Sequence, residues 1–109
     1  MFVGFGLWMF ASPRSFYTAL ATYPPLHVHF LRDAGAFNVG LGAGLLVGLR
    51  LKDALATALA AAATAAVFHA ASHVIDIEAG GKPTDPWLLA LFALVMVAGA
   101  TARIKEVGR

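Results

Sequence analysis

Four stretches of this chain are almost uninterrupted runs of apolar residues, and the polar residues collect in the short segments between them. Met1 to Ala11 carries no charge, Val39 to Leu49 is entirely apolar, and Ala54 to Val67 contains nothing more polar than threonine. The last run opens at Asp85-Pro86-Trp87 and continues to about Ala102. A helix rises about 1.5 Å per residue and a hydrocarbon core is about 30 Å thick, so roughly 20 apolar residues make one crossing. Segments 30–49, 53–75 and 86–102 meet that length. The eleven residues Met1 to Ala11 reach only roughly 16 Å and cannot cross straight over alone.

The punctuation between the runs predicts how they connect. Ser12-Pro13 reads as an N-cap and first helical residue, so a short helix over 13–23 is expected to lie at the interface. Arg14, Tyr17 and Tyr23 would sit at headgroup level, and Pro24-Pro25 ends that helix. A single span from Met1 to Tyr23, kinked at Pro13, is the other reading of the same residues. In the second long helix Gly40, Gly44 and Gly48 recur every four residues and predict a flat strip for close packing. Arg50 to Asp53 is a short turn, so the third helix is its antiparallel neighbour. Ala54, Ala58, Ala62 and Ala65 are expected to face the glycines. Glu78 to Asp85 is a polar, turn-rich loop, Asp85-Pro86 starts the last helix with Trp87 as its interface anchor, and 103–109 is a basic tail.

Together these segments predict an all-α integral membrane protein of one domain. It is a four-helix bundle with membrane-embedded helices at about 1–12, 30–49, 53–75 and 86–102, and an interfacial helix at 13–23. Composition agrees. Hydrophobic residues are 60% of the 109 and charged residues 13%, against an average of about 25% charged in soluble domains. A soluble domain of this size leaves too much surface exposed to hide so apolar a chain. There is no cysteine, which excludes disulfides, thiolate metal sites and cysteine nucleophiles. The start lacks the basic region and cleavage site of a secretory leader, so none is expected to be removed.

The net charge of +2 is too small and scattered for nucleic acid, and the basic residues serve better as topology markers. Arg50, Lys52, Arg103, Lys105 and Arg109 fall on one side with the amino terminus, and Arg14, Arg32 and Lys82 on the other. The first side is expected to be cytoplasmic, with both termini there, in a bacterial cytoplasmic membrane. All four histidines, His27, His29, His69 and His73, then lie on the outer side with Asp33, Asp76, Glu78 and Asp85.

That segregation gives the candidate chemistry. His69, His73 and Asp76 stand at i, i+4 and i+7, so one helix face carries two imidazoles and a carboxylate at the end of a hydrophobic segment. With His27 and His29 from the facing loop they form a candidate metal site for zinc, copper(II) or iron. Haem held by histidines from two helices uses the same residues differently. Without a metal, Arg32, Asp33, His73 and Asp76 make a proton-handling or ligand-binding cluster. Asn38 either joins that site or hydrogen-bonds across helices. The plain alternative is histidines at headgroup level and an ion pair of Arg32 and Asp33 with Asp76. Other chemistry is excluded by spacing. Ala70 follows His69 where a zinc protease needs glutamate, no lysine and serine follow the glycines as a P-loop requires, and Ser72 and His73 point apart on a helix. Trp8, Trp87, Tyr17 and Tyr23 are most simply an aromatic belt.

Residues Phe30-Leu-Arg-Asp-Ala-Gly-Ala-Phe-Asn-Val-Gly-Leu-Gly42, preceded by Ser12-Pro-Arg-Ser-Phe-Tyr17, resemble the small four-span bacterial membrane proteins grouped as DoxX-like. The resemblance covers roughly Leu7 to Leu49 and carries over to Arg32, Asp33 and Gly35. It implies a four-helix membrane bundle and, in some members, a subunit of a quinone-linked oxidoreductase. Three functions follow. One is a module binding a metal, haem or small lipophilic ligand through His69, His73, Asp76, Arg32, Asp33 and Asn38. The others are an accessory subunit of a homo-oligomer or larger membrane complex, and a membrane enzyme using the histidines for proton transfer.

Overall fold

The computed structural model describes residues 1–109 and is all-α. Five helices follow in order: α1 (Phe2–Ala11), α2 (Pro13–Ala19), α3 (Val28–Leu51), α4 (Ala54–Ile75) and α5 (Asp85–Val107), with a 3₁₀ turn Ile77–Ala79 between the last two. Helices α3, α4 and α5 are long and apolar enough to cross a membrane, and α1 is apolar but short. Their ends are set by local chemistry. The Asp53 carboxylate accepts the Ala56 amide at 2.7 Å and starts α4 as an N-cap. Lys52 takes a left-handed conformation (φ 53°) that stops α3, its amide donating to the Gly48 carbonyl.

The helices stand in a row rather than closing into a bundle. Helix α1 packs on α3, α3 on α4 and α4 on α5, and the Cα envelope measures 47 × 32 × 15 Å. Lipid tails are as apolar as leucine, so nothing drives the row to curl shut; only faces of small residues gain by meeting. Accordingly the interior holds Ala36, Ala56, Ala60, Ala63, Ala66, Ala93 and Ala100, with Val39 and Met9, while α5 turns Leu88, Leu91, Leu94 and Val95 outward.

Glycine decides the two tightest crossings. A Cβ on Gly40 would lie 2.7 Å from the Ala61 carbonyl oxygen and 2.6 Å from the Ala65 Cβ; one on Gly44 would lie 2.7 Å from the Ala61 Cβ. Gly48 meets Thr57 in the same way. The strip facing the glycines is therefore Thr57, Ala61 and Ala65; of the alanines expected there only Ala65 belongs, and Ala58 and Ala62 line a groove beside it. At the other crossing Gly6 and Gly35 bring α1 and α3 together, each Cβ position falling within 2.8 Å of the other's carbonyl oxygen.

Helix α1 runs antiparallel to α3 from Val3, beside Gly42, to Phe10, beside Gly35 and Arg32. It thus covers only the first half of α3. Its start lies about 14 Å along α3 from the Arg50 end, where the amino terminus was expected. Helix α2 stops at Ala19, short of the expected Tyr23, and folds back so that Phe16 meets Trp8 edge-to-face at 5.2 Å. At the far end of the row Arg103 grips Asp53 with Nε at 3.2 Å and Nη2 at 2.9 Å, tying the end of α5 to the start of α4. That guanidinium, with the Ala56 amide, holds the Asp53 carboxyl below its ordinary range.

The glycine crossings make a clean test. Gly40→Ala should destabilise the detergent-solubilised protein by about 1–3 kcal/mol, because both neighbours are backbone or short side chains that cannot give way. Gly4→Ala, whose Cβ meets nothing within 4 Å, should be neutral or stabilising by up to about 1 kcal/mol from helix propensity. Thermal unfolding of the two variants side by side checks this.

Candidate metal and ligand site at the α3–α4 end

Two helix faces build the site, and each carries its polar residues at one-turn spacing. On the first turns of α3 stand His29, Arg32 and Asp33, at i, i+3 and i+4. On the last turns of α4 and its C-cap stand His69, Ser72, His73 and Asp76, at i, i+3, i+4 and i+7. The antiparallel register that seats Gly40 against Ala65 carries on to seat Asp33 against Ser72 and His29 against Asp76.

Asp33 is the centre of the group. Its Oδ1 accepts the hydroxyl of Ser72, which is fully buried, and its Oδ2 faces His29 Nε2 at 3.2 Å and His69 Nε2 at 3.6 Å. His29 reaches the other way with Nδ1, 3.0 Å from Asp76 Oδ2. Arg32 closes the network. Its Nε donates to the same Asp76 oxygen at 2.9 Å, while Nη1 donates to the Phe10 carbonyl at the end of α1 at 2.6 Å. The guanidinium thus satisfies a carbonyl that α1 leaves open at its terminus, and favours its negative dipole end. Burial opposes ionisation of Asp76, but the hydrogen bonds from His29 and Arg32 outweigh it and hold this carboxyl below the ordinary range.

His73 completes a compact donor set. Its ring meets His29 edge-on at 4.8 Å and His69 at 4.9 Å between centroids. Ligating atoms of His29, Asp33 and His73 all lie within 4.8 Å of one another. The His29 tautomer matters most. When Nδ1–H donates to Asp76, Nε2 presents a lone pair to a carboxylate oxygen 3.2 Å away, and two acceptors at that distance need a proton or a cation between them.

Of the residues expected to form the site, His29, Arg32, Asp33, His69, His73 and Asp76 do come together. Asp76 faces His29 and Arg32, and not the space between His69 and His73. His27 lies at the edge of the group and outside its donor set: it caps α3 by accepting the Phe30 amide at 3.4 Å and stacks on the Phe30 ring at 4.0 Å between centroids. Asn38 donates to the Ala34 carbonyl of its own helix at 2.8 Å and does not reach the group. Ser72, read from the sequence only to exclude a hydrolase, positions Asp33. His29 and Asp33 repeat the i, i+4 spacing of His69 and His73, so both helices mark the same end, but that spacing does not single out Ser72.

Two hollows meet at the group. A polar pocket of about 210 Å³ is lined by His27, His29, His73 and Asp76 with Gly80 and Gly81 of the α4–α5 loop. On one face of α4 an apolar groove of about 450 Å³ runs between Phe37 and Phe92 and ends on His69.

Two measurements follow. The stability that Asp76 contributes is complete above the ordinary carboxylate pKa of about 3.9 and is lost as pH falls through the lower folded value. Melting temperature should therefore decline on acidification below about pH 4, and Asp76→Asn should flatten that decline without abolishing the share due to Asp53. Arg32→Gln, which leaves Asp76 short of its cation and Phe10 without a donor, should cost near the lower end of about 3–5 kcal/mol in the same melts. Comparison of the chain with protein-family models, with curated proteins and with solved structures finds no match.

Proposed function

We propose that this is a small membrane protein that holds one divalent first-row transition metal ion at the α3–α4 end, through His29, Asp33 and His73. The observation that carries the reading is the convergence of those three donors within 4.8 Å, with the His29 lone pair and Asp33 Oδ2 set 3.2 Å apart. Donors on a tetrahedral ion bound at about 2.0–2.1 Å lie about 3.3 Å from each other, which is the spacing of that pair. The surroundings also suit a metal. Asp76 accepts from the far nitrogen of His29 and Ser72 holds Asp33, the outer contacts that orient ligands around such ions.

Two imidazoles and one carboxylate, with no thiolate, suit zinc or iron(II) and leave a coordination position open. Haem is disfavoured by the edge-to-face contact of His29 with His73, which leaves no slot for a macrocycle between them. The basic residues Arg50, Lys52, Arg103, Lys105 and Arg109 gather at the opposite end of α3 and α5, which supports a cytoplasmic membrane with the site on the outer side.

A second reading, an accessory subunit of a larger membrane complex, draws on the one-layer row and on α5, whose outward side has no protein neighbour. The two readings separate in one experiment. Detergent-purified protein stripped with a chelator and then dialysed against zinc should retain one ion per chain by elemental analysis. His29→Ala and His73→Ala should retain none, and Asp76→Asn should bind about 10–100-fold more weakly. Uptake of less than a tenth of an ion by the unaltered chain would overturn the metal reading and leave the accessory one.

A further inference from the structure

We propose that the apolar groove on α4 takes the body of a lipid-soluble molecule whose oxygen-bearing head reaches His69 and the open position beside the metal. This rests on the metal reading above and adds the class of ligand the site receives.

The groove is a consequence of sequence. Helix α4 is almost all alanine through its middle, so between the bulkier α3 and α5 it leaves a trough, walled by Phe37 and Leu41 on one side and Phe92 on the other and floored by Ala58 and Ala62. At about 450 Å³ it falls in the range of small-molecule sites, about 300–1,000 Å³. A trough filled only by lipid tails needs no polar end. This one ends on His69, whose Nε2 stands 3.6 Å from Asp33, beyond hydrogen-bond reach, and whose ring makes no hydrogen bond of its own. The Phe37 ring lies 5.3 Å away and holds the imidazole in place.

The imidazole at the end of the groove lacks a hydrogen-bond partner. A ligand head carrying a hydroxyl, carboxylate or carbonyl oxygen supplies one. The same head lies next to the donor set of His29, Asp33 and His73, since His69 and His73 are one turn apart with rings 4.9 Å between centroids. His29 and His73 line the polar pocket while His69 lines the groove, so the group stands between an entry for water and ions and an entry from the bilayer.

Hydroxamic acids test this, because one head can be offered with and without a tail. Zinc uptake is measured first, on the same samples in lipid nanodiscs. Dodecanohydroxamic acid should then bind the zinc-loaded protein at least ten-fold more tightly than acetohydroxamic acid, by calorimetry. Partition into lipid raises the affinity of any tailed probe, so the groove is isolated by Ala62→Phe, which fills its floor. That variant should keep zinc and acetohydroxamic acid binding and lose most of the tail's ten-fold gain. Ala58→Leu, at an exposed position further along, gives the same readout should the first variant misfold.

A tail gain unchanged in both variants would overturn the groove and leave the metal site standing. Absence of zinc from the unaltered chain would overturn the metal reading and this proposal with it. A dimer that becomes monomeric in Ala62→Phe would also overturn it, by showing that a second copy occupies the groove.

Discussion

At Gly40 the backbone of α3 comes so near α4 that a single added carbon would strike both the Ala61 carbonyl and the Ala65 side chain. This approach sets everything above it. The two helices are antiparallel and both repeat their contact residues every four positions, so the register fixed by Gly40, Gly44 and Gly48 continues unbroken to Asp33 on Ser72 and His29 on Asp76. A wider crossing would part Asp76 from His29 and Ser72 from Asp33, while the His29–Asp33 pair, one turn apart on α3, would remain. The helix strip that reads as packing is thus what brings the chemistry to its working distance.

Charge explains why the rest of the chain gathers at that end. Two carboxylates at a membrane boundary need cations, and Arg32 supplies one while also meeting the open carbonyl of Phe10. The short α1 is held where its carbonyl terminus is useful, packed along half of α3 through Gly6 and Gly35. One negative charge is left between Asp33 and Asp76 after Arg32. His29 stands between the two carboxylates, with one ring nitrogen toward each.

Much of this architecture was legible in the pattern of apolar runs. The all-α class, the three long helices and the tight meeting of the second and third follow from run length, the turn at Arg50 to Asp53 and the four-residue glycine repeat. The facing strip was displaced, because alanines surround α4 on every side and composition alone does not choose Thr57, Ala61 and Ala65 over Ala58 and Ala62. Closure into a bundle was not legible either: it depends on how α5 docks, and its leucines and valines suit lipid as well as protein. At the site, His69, His73 and Asp76 declared themselves by spacing. The central place of Asp33 and His29 did not, since it arises from the register between two helices, and Ser72 carries no mark of its role outside that register.

The most direct test of the account is X-ray absorption at the metal edge of zinc-loaded protein. The predicted spectrum has a first shell of nitrogen and oxygen at about 2.0–2.1 Å with the outer-shell scattering of at least two imidazoles, and one imidazole is lost in His73→Ala. A shell of oxygen alone, without imidazole scattering and unchanged in that variant, would place the ion elsewhere and contradict the site built by α3 and α4.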